Sequence, residues 1–324
     1  MKLKVGIFGT GHIGKIHVNN WKEIKEIELI GFYDTDDAVA KEVEEKYKLK
    51  RFATLESLLE KIDIADITAP TTCHYALCEK AVKKGKHVFV EKPLATTLDE
   101  VKRIIAMVKE ANVKVQVGHE ERFNPAFVAA KKVISNPMYI EAHRLSPFNS
   151  RNTEINIVQD LMIHDLDIIL SLVKNGVRHI IASGICVVAN EPDIVSARIE
   201  FDNGCIANLT ASRINREKLR TMRLFQKSAY VDIDFLKKKT EITQINQSHS
   251  DKPVSSDAAA QLTFSVSHPP IQDLDAIKEE LKSFVETIIH NKQPAVSEID
   301  AYLAMEIAQQ IMDKISSNNT VIPH

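Results

Sequence analysis

The stretch Lys2-Leu3-Lys4-Val5-Gly6-Ile7-Phe8-Gly9-Thr10-Gly11-His12-Ile13-Gly14 joins an apolar, strand-like run to a helical segment, His12 to Trp21, through glycines spaced Gly-x-Gly-x-x-Gly. This pattern suits a dinucleotide. Gly9 permits a tight strand-to-helix turn, Gly11 lets the backbone approach a pyrophosphate, and Gly14 allows the helix to pack close on the strand. The helix start at His12 and Ile13 offers N–H groups and a positive dipole end to the phosphates. Glycines also serve ordinary turns, so the context decides. A second strand-like run, Glu28-Leu29-Ile30-Gly31-Phe32-Tyr33, ends in Asp34, about 20 residues beyond Gly14, where such a fold places the carboxylate that binds the ribose 2′-hydroxyl. A carboxylate there repels a 2′-phosphate, so NAD is expected over NADP.

Working outward, strand-like and helix-like segments alternate to about residue 120, which implies parallel strands joined by right-handed helical crossovers. The fold class expected is α/β: a doubly wound parallel sheet of Rossmann type over residues 1–120. Its strand carboxyl ends, where active-site material gathers, carry Thr68-Ala69-Pro70-Thr71 and Glu91-Lys92-Pro93. Beyond residue 120 come a helix near Ala126 to Ser135, a strand near Tyr139 to Leu145, a helix near Val158 to Val173, and a series of extended runs from Ile180 to Ile245. These predict an α+β domain over 121–324 with a large, mostly antiparallel open sheet. Gln247 to Ala260 reads as a surface loop, and two helices near Leu274–His290 and Glu298–Ser316 close the chain.

Composition excludes several classes. With 324 residues, 44% hydrophobic content and a net charge of −2, neither disorder nor a nucleic-acid surface is indicated. No apolar run approaches the roughly 20 residues that span a bilayer. Cys73, Cys78, Cys186 and Cys205 form no Cys-x-x-Cys pair and read as small buried thiols. A cytoplasmic protein with a small-molecule substrate is the expectation.

Two places carry chemistry. Lys92 lies just past the apolar strand His87-Val88-Phe89-Val90, beside the expected nucleotide site and before a stiffening proline; the alternative is a solvated loop cation. On the later helix, Asp160, His164 and Asp167 share one face, while Leu161, Ile169 and Val173 serve the core. That stripe is either a site or an exposed Asp-His pair. A metal site is the weaker reading, because no paired-histidine or cysteine spacing accompanies it, and none is expected.

Taken together, Gly9-Thr10-Gly11-His12-Ile13-Gly14, Ala69-Pro70-Thr71-Thr72-Cys73-His74, Gly85-Lys86-His87-Val88-Phe89-Val90-Glu91-Lys92-Pro93-Leu94 and Asp160-x-x-x-His164-x-x-Asp167 resemble the glucose-fructose oxidoreductase/inositol dehydrogenase (Gfo/Idh/MocA) family, in order and over nearly the whole chain. The resemblance implies NAD(P)-dependent oxidation or reduction of a sugar or polyol. It implies Lys92, Asp160 and His164 as the catalytic group and Glu91 near the nicotinamide ribose. Ala69, Pro70, Thr71, His74 and Arg122 join the glycine loop and Asp34 as cofactor contacts. It also implies a homodimer or homotetramer through the second domain's sheet.

Val117-Gly118-His119-Glu120-Glu121-Arg122-Phe123-Asn124-Pro125 and the Met162 position look like the subgroup of UDP-N-acetylglucosamine 3-dehydrogenases. His119, Arg122, Arg144, Arg151 and Arg213, with Arg216, are then candidate substrate contacts, the arginines for a diphosphate. Each arginine has an exposed or strand-edge alternative. Another sugar or polyol dehydrogenase, or a non-catalytic NAD-binding sensor, are the competing readings.

Overall fold

Apolar runs bounded by glycine and helix caps lay down the first sheet. In the computed structural model, which describes residues 2–148, 155–247 and 262–317, these runs form β1 (Leu3–Phe8), β2 (Ile27–Tyr33), β3 (Ile64–Ile67), β4 (His87–Glu91) and β5 (Val115–Gly118). All neighbours are parallel, in the order β2-β1-β3-β4-β5. The helices between them are α1 (His12–Lys22), α2 (Asp37–Tyr47), α3 (Leu55–Leu59), α4 (Thr71–Lys83) and α5 (Leu98–Ala111). α5 begins at a capping box, Thr97 with Glu100, and buries Val101, Ile104 and Val108. The strand order reverses between β1 and β3, the switch point where open parallel sheets bind ligands. The short α3 was not foreseen.

The second sheet is larger. After α6 (Pro125–Lys131) come β6 (Tyr139–Leu145), a π-helical turn (Val158–Met162), α7 (Ile163–Leu172), β7 (Val177–Ile185), β8 (Ile194–Phe201), β9 (Ile206–Ser212), β10 (Leu219–Gln226), β11 (Ala229–Asp234), β12 (Lys239–Gln247) and β13 (Leu262–Ser267). The eight strands run β13-β12-β11-β10-β6-β9-β8-β7, with only the β6–β9 pair parallel. Alternation is plain in β8, whose Val195, Ala197, Ile199 and Phe201 point into the core. The Asp202-Asn203-Gly204 turn follows, with Gly204 at φ +85°. β13 was not anticipated, and most of the expected Gln247–Ala260 loop lies outside the described residues.

α8 (Ala276–Ile289) and α9 (Glu298–Ser317) close the chain. By contact the molecule divides into Met1–Phe123 with Leu274–Glu306, and Asn124–Asp273 with Ile307–His324. This differs from a single break at residue 120. Leu281, Phe284 and Val285 of α8 are buried in one core with Val5, Ile7, Val18, Trp21 and Phe89, because a parallel sheet needs apolar cover on both faces. Ile307, Ala308, Ile311 and Ile315 belong to the other core. Among the described residues no helix is long and apolar enough to cross a membrane. All four cysteines are free thiols, but Cys73 is exposed and Cys186 half-buried rather than buried.

Candidate active site

The three glycines of the β1–α1 turn have different physical reasons. Gly9 turns the chain at φ +91°, a backbone that side chains resist, and a Cβ there would meet the Ala69 backbone at 2.6 Å. A Cβ on Gly14 would meet the Gly9 carbonyl oxygen at 2.3 Å. On Gly11 it would meet nothing within 4 Å. Thus the protein's own packing requires the first and third glycines, whereas open space at the second leaves room for a ligand's close approach. Gly11 also caps α1 without any side-chain hydrogen bond, so the first-turn N–H groups remain available to an anion.

A cavity of about 750 Å³ opens at this turn. Gly9, Gly11, His12, Ile13, Asp34, Ala69 and Pro70, all expected cofactor contacts, line it, with Thr72 and Cys73 in place of Thr71. Asp34 is held firmly at its rim. Its Oδ2 accepts from the Thr10 N–H (2.6 Å) and hydroxyl (2.8 Å), and its Oδ1 accepts from the Asp36 N–H (2.9 Å). Arg51, unremarked in the sequence, donates to the Asp34 carbonyl at 2.9 Å and pairs with Asp37 at 2.7 Å. Volume, uncapped helix and oriented carboxylate together fit a dinucleotide.

His74, also expected as a cofactor contact, does not line this cavity. It is 1% exposed, with Nδ1 2.8 Å from the Pro93 carbonyl and Nε2 2.8 Å from the Ala69 carbonyl. One ring nitrogen faces each carbonyl, so the imidazole fills the space between the ends of β3 and β4, donating from whichever nitrogen carries its proton. Burial pulls its pKa below the ordinary histidine value, against the raising effect of the two carbonyls. The β4 end carries Glu91 and then Lys92, both half-buried, and the Lys92–Pro93 peptide is cis. His119 is buried at the end of β5, and Arg122 reaches the Ala295 carbonyl (3.4 Å) and Asp300 (3.7 Å).

In the other unit, the helix expected near Val158 to Val173 starts as a π turn and continues as α7. The wider turn shifts the helical phase, and such turns recur at functional sites. Asp160 and His164 are half-buried, whereas Asp167 is 1% exposed, so the polar stripe is not a solvated face. Leu161, Ile169 and Val173 pack on the core as expected.

Arg144 requires a correction. Its Nε and Nη2 grip Asp165 at 3.0 and 2.8 Å, the pair is almost wholly buried, and the guanidinium lies 5.9 Å from the Phe235 ring centre. A guanidinium so committed is a structural group of this unit, not a diphosphate clamp. Arg213 is 7% exposed, with Nη2 3.4 Å from the Ile155 carbonyl, and Arg216 is exposed. Arg151 lies outside the described residues.

A family profile described as "Oxidoreductase family, NAD-binding Rossmann fold" (Gfo/Idh/MocA) matches residues 3–119. UDP-N-acetylglucosamine 3-dehydrogenase of Acidithiobacillus ferrooxidans is 34% identical over 235 residues, covering 72% of this chain and 74% of that protein. The chain belongs to the Gfo/Idh/MocA family. A crystal structure of the same enzyme superposes with a TM-score of 0.89 at 28% identity, covering 98% of each chain. Myo-inositol 2-dehydrogenase of Thermotoga maritima is 24% identical over 98% of each chain. This Gfo/Idh/MocA chain is therefore an NAD-binding oxidoreductase, a dehydrogenase by family.

What sequence reasoning missed in this family member is a set of buried charges in the first unit. His17 and Asp66 are fully buried and lie 2.9 Å apart, Trp21 Nε1 donates to Asp66 at 2.7 Å, and Glu280 is also fully buried. A carboxylate in the middle of the apolar strand Ile64-Ala65-Asp66-Ile67 was the available signal, since such a charge needs a partner. Its partner arrives from another helix, which no local pattern announces.

Proposed function

We propose that this dehydrogenase oxidises a secondary hydroxyl of a nucleotide sugar, in the manner of the UDP-N-acetylglucosamine 3-dehydrogenases, with NAD as its cofactor. The observation that carries the reading is the 34% identity to that enzyme over 72% of the chain. The bound nicotinamide supplies the hydride acceptor. The uncapped start of α1 holds the pyrophosphate, and Asp34 selects the unphosphorylated ribose. Glu91 stands at the nicotinamide ribose. Lys92 hydrogen-bonds the reacting hydroxyl and stabilises the charge that develops on its oxygen.

His164 takes the hydroxyl proton, Asp160 orients the pair, and Asp167 steadies the imidazole. A free histidine has a pKa of roughly 6.5 and a lysine roughly 10.4, so histidine is the easier base near neutrality. Arg213, Arg216 and Arg151, with His119 and Arg122, are the remaining substrate candidates. The eight-stranded sheet joins copies into a homodimer or homotetramer, which light scattering in solution tests.

A specific observation favours a second reading, oxidation of a free polyol. Arg144 is committed to Asp165, which removes one expected diphosphate contact, and an inositol dehydrogenase matches along the whole chain. Protein and NAD+ are incubated with UDP-N-acetylglucosamine, free hexoses and inositols while reduced-cofactor absorbance is followed. A rise with the UDP-sugar supports the first reading. A rise with inositol alone selects the second.

A further inference from the structure

The first unit contains a buried line of charges that the cofactor cavity does not use. On α1, Gly14, His17, Val18 and Trp21 form the buried face at the i, i+3, i+4, i+7 spacing of a core stripe. His17 therefore occupies a core position. Its ring meets Phe89 edge-on with centroids 5.6 Å apart, and its Nδ1 lies 2.9 and 3.1 Å from the two carboxylate oxygens of Asp66. Its Nε2 lies 3.2 Å from Oε1 of Glu91, an ion pair outside hydrogen-bond geometry, and the Glu91 side chain is 22% exposed. The line thus begins at a buried carboxylate on β3 and ends at a partly exposed one on the last residue of β4, next to Lys92.

We propose that His17 is a positioning residue of this dehydrogenase: anchored by Asp66, it fixes the Glu91 carboxylate at the nicotinamide end of the cofactor site. The proposal rests on the placing of Glu91 at the nicotinamide ribose given above. Three observations support it. Gly118 on the neighbouring β5 leaves room for the same carboxylate, because a Cβ there would stand 2.7 Å from Glu91 Oε1. Glu91 is therefore confined from one side by backbone and from the other by an imidazole.

The second observation is electrostatic. Burial alone would lower the His17 pKa, but Asp66 and then Glu91 outweigh it and raise it to about 10, so the ring is a cation facing both carboxylates at neutral pH. The remaining charged group near it is Glu280 on α8. Burial, with Glu91 and Glu120 nearby, pushes that carboxyl well above its usual range.

The third is energetic. Replacing a buried ion pair by apolar side chains of similar volume is often neutral or stabilising, so fold stability alone gives little reason for a histidine in this core stripe. An orienting task at the open end of the line gives one.

The test compares NADH with ADP, which shares the adenine, its ribose and the pyrophosphate but lacks the nicotinamide ribose. His17→Gln is expected to weaken NADH binding about tenfold, through loss of the charge that holds Glu91, and to leave ADP binding within about twofold. In the cycle with Glu91→Gln, the second substitution should cost almost nothing once the first is made, because His17 acts through Glu91. NADH affinity unchanged in His17→Gln, or equal losses for NADH and ADP, overturns the proposal.

If His17→Gln fails to fold, the wild-type ring is read by ¹⁵N NMR. Both nitrogens should remain protonated well above neutrality, and titration near the ordinary histidine value overturns the proposal. Failure of the wild-type enzyme to oxidise any alcohol would count against the functional reading instead, since neither binding nor NMR depends on turnover.

Discussion

Two buried charge clusters, one in each unit, show how differently the same kind of contact serves a protein. In the first, His17 lies between Asp66 and Glu91, and the second of those carboxylates reaches the strand end beside Lys92. In the second, Arg144 and Asp165 hold each other between β6 and α7, both nearly inaccessible. Distances in the two clusters are similar. What separates them is where each leads: the first ends at a partly exposed group next to the expected chemistry, and the second joins a sheet to a helix. Proximity to charge is therefore a poor guide to function unless the far end of the network is followed.

The largest expected effect lies at the open end of the first cluster. Lys92→Met should lower turnover by about 10³-fold or more while NADH still binds, because the reacting oxygen loses its charged partner. Near-normal turnover would break the contrast by making Lys92 a bystander.

Next in size is the second cluster. Arg144→Ala should destabilise the protein by about 3–5 kcal/mol in urea unfolding, since Asp165 is left buried without its guanidinium. The double change Arg144→Met with Asp165→Leu should recover most of that loss. An unaltered unfolding midpoint with a raised sugar KM would instead make Arg144 a ligand contact after all.

A smaller effect is expected at the cavity rim. Asp34→Ala should reduce the NAD/NADP preference by about tenfold or somewhat more, the scale of a hydrogen bond to a carboxylate together with relief of phosphate repulsion. An unchanged ratio would remove the argument for NAD.

The smallest is a pH effect that sharpens the comparison. His17 has a folded pKa of about 10, above its ordinary 6.5, so the folded state binds a proton that the unfolded state releases between those values. Its contribution to stability is fully present below about pH 6.5 and is lost as pH rises through about 10. Glu280, also raised, acts in the same direction. Wild-type stability should fall across that alkaline window, and His17→Gln should flatten the fall. An identical slope in the variant would mean that His17 is neutral in the fold.

Much of the first unit was legible because its signals are local. Gly9, Gly11, Gly14 and Asp34 sit at fixed offsets along a strand, a turn and a helix, so their spacing in that context announced the cavity that Gly9, Gly11 and Asp34 line. The second sheet was legible in class and in most strands, since alternation marks a half-buried strand wherever it occurs. The roles of His74 and Arg144 were not, because their partners are the Ala69 and Pro93 carbonyls and the Asp165 side chain, contacts created by folding. The π turn at Val158–Met162 was equally hidden, as an extra residue in a helical turn leaves no compositional trace. α8 was foreseen as a helix but not as part of the first core, because an amphipathic face does not name the surface it covers.

The proposed reaction assigns Lys92 to the charge on the reacting oxygen and His164 to its proton. A crystal structure of the protein with NADH and UDP-N-acetylglucosamine measures this directly. Lys92 Nζ and a ring nitrogen of His164 are each expected within hydrogen-bond reach, about 2.6–3.2 Å, of the same sugar hydroxyl. A complex in which the two nitrogens address different groups, or in which the sugar lies beyond the reach of either, contradicts that assignment.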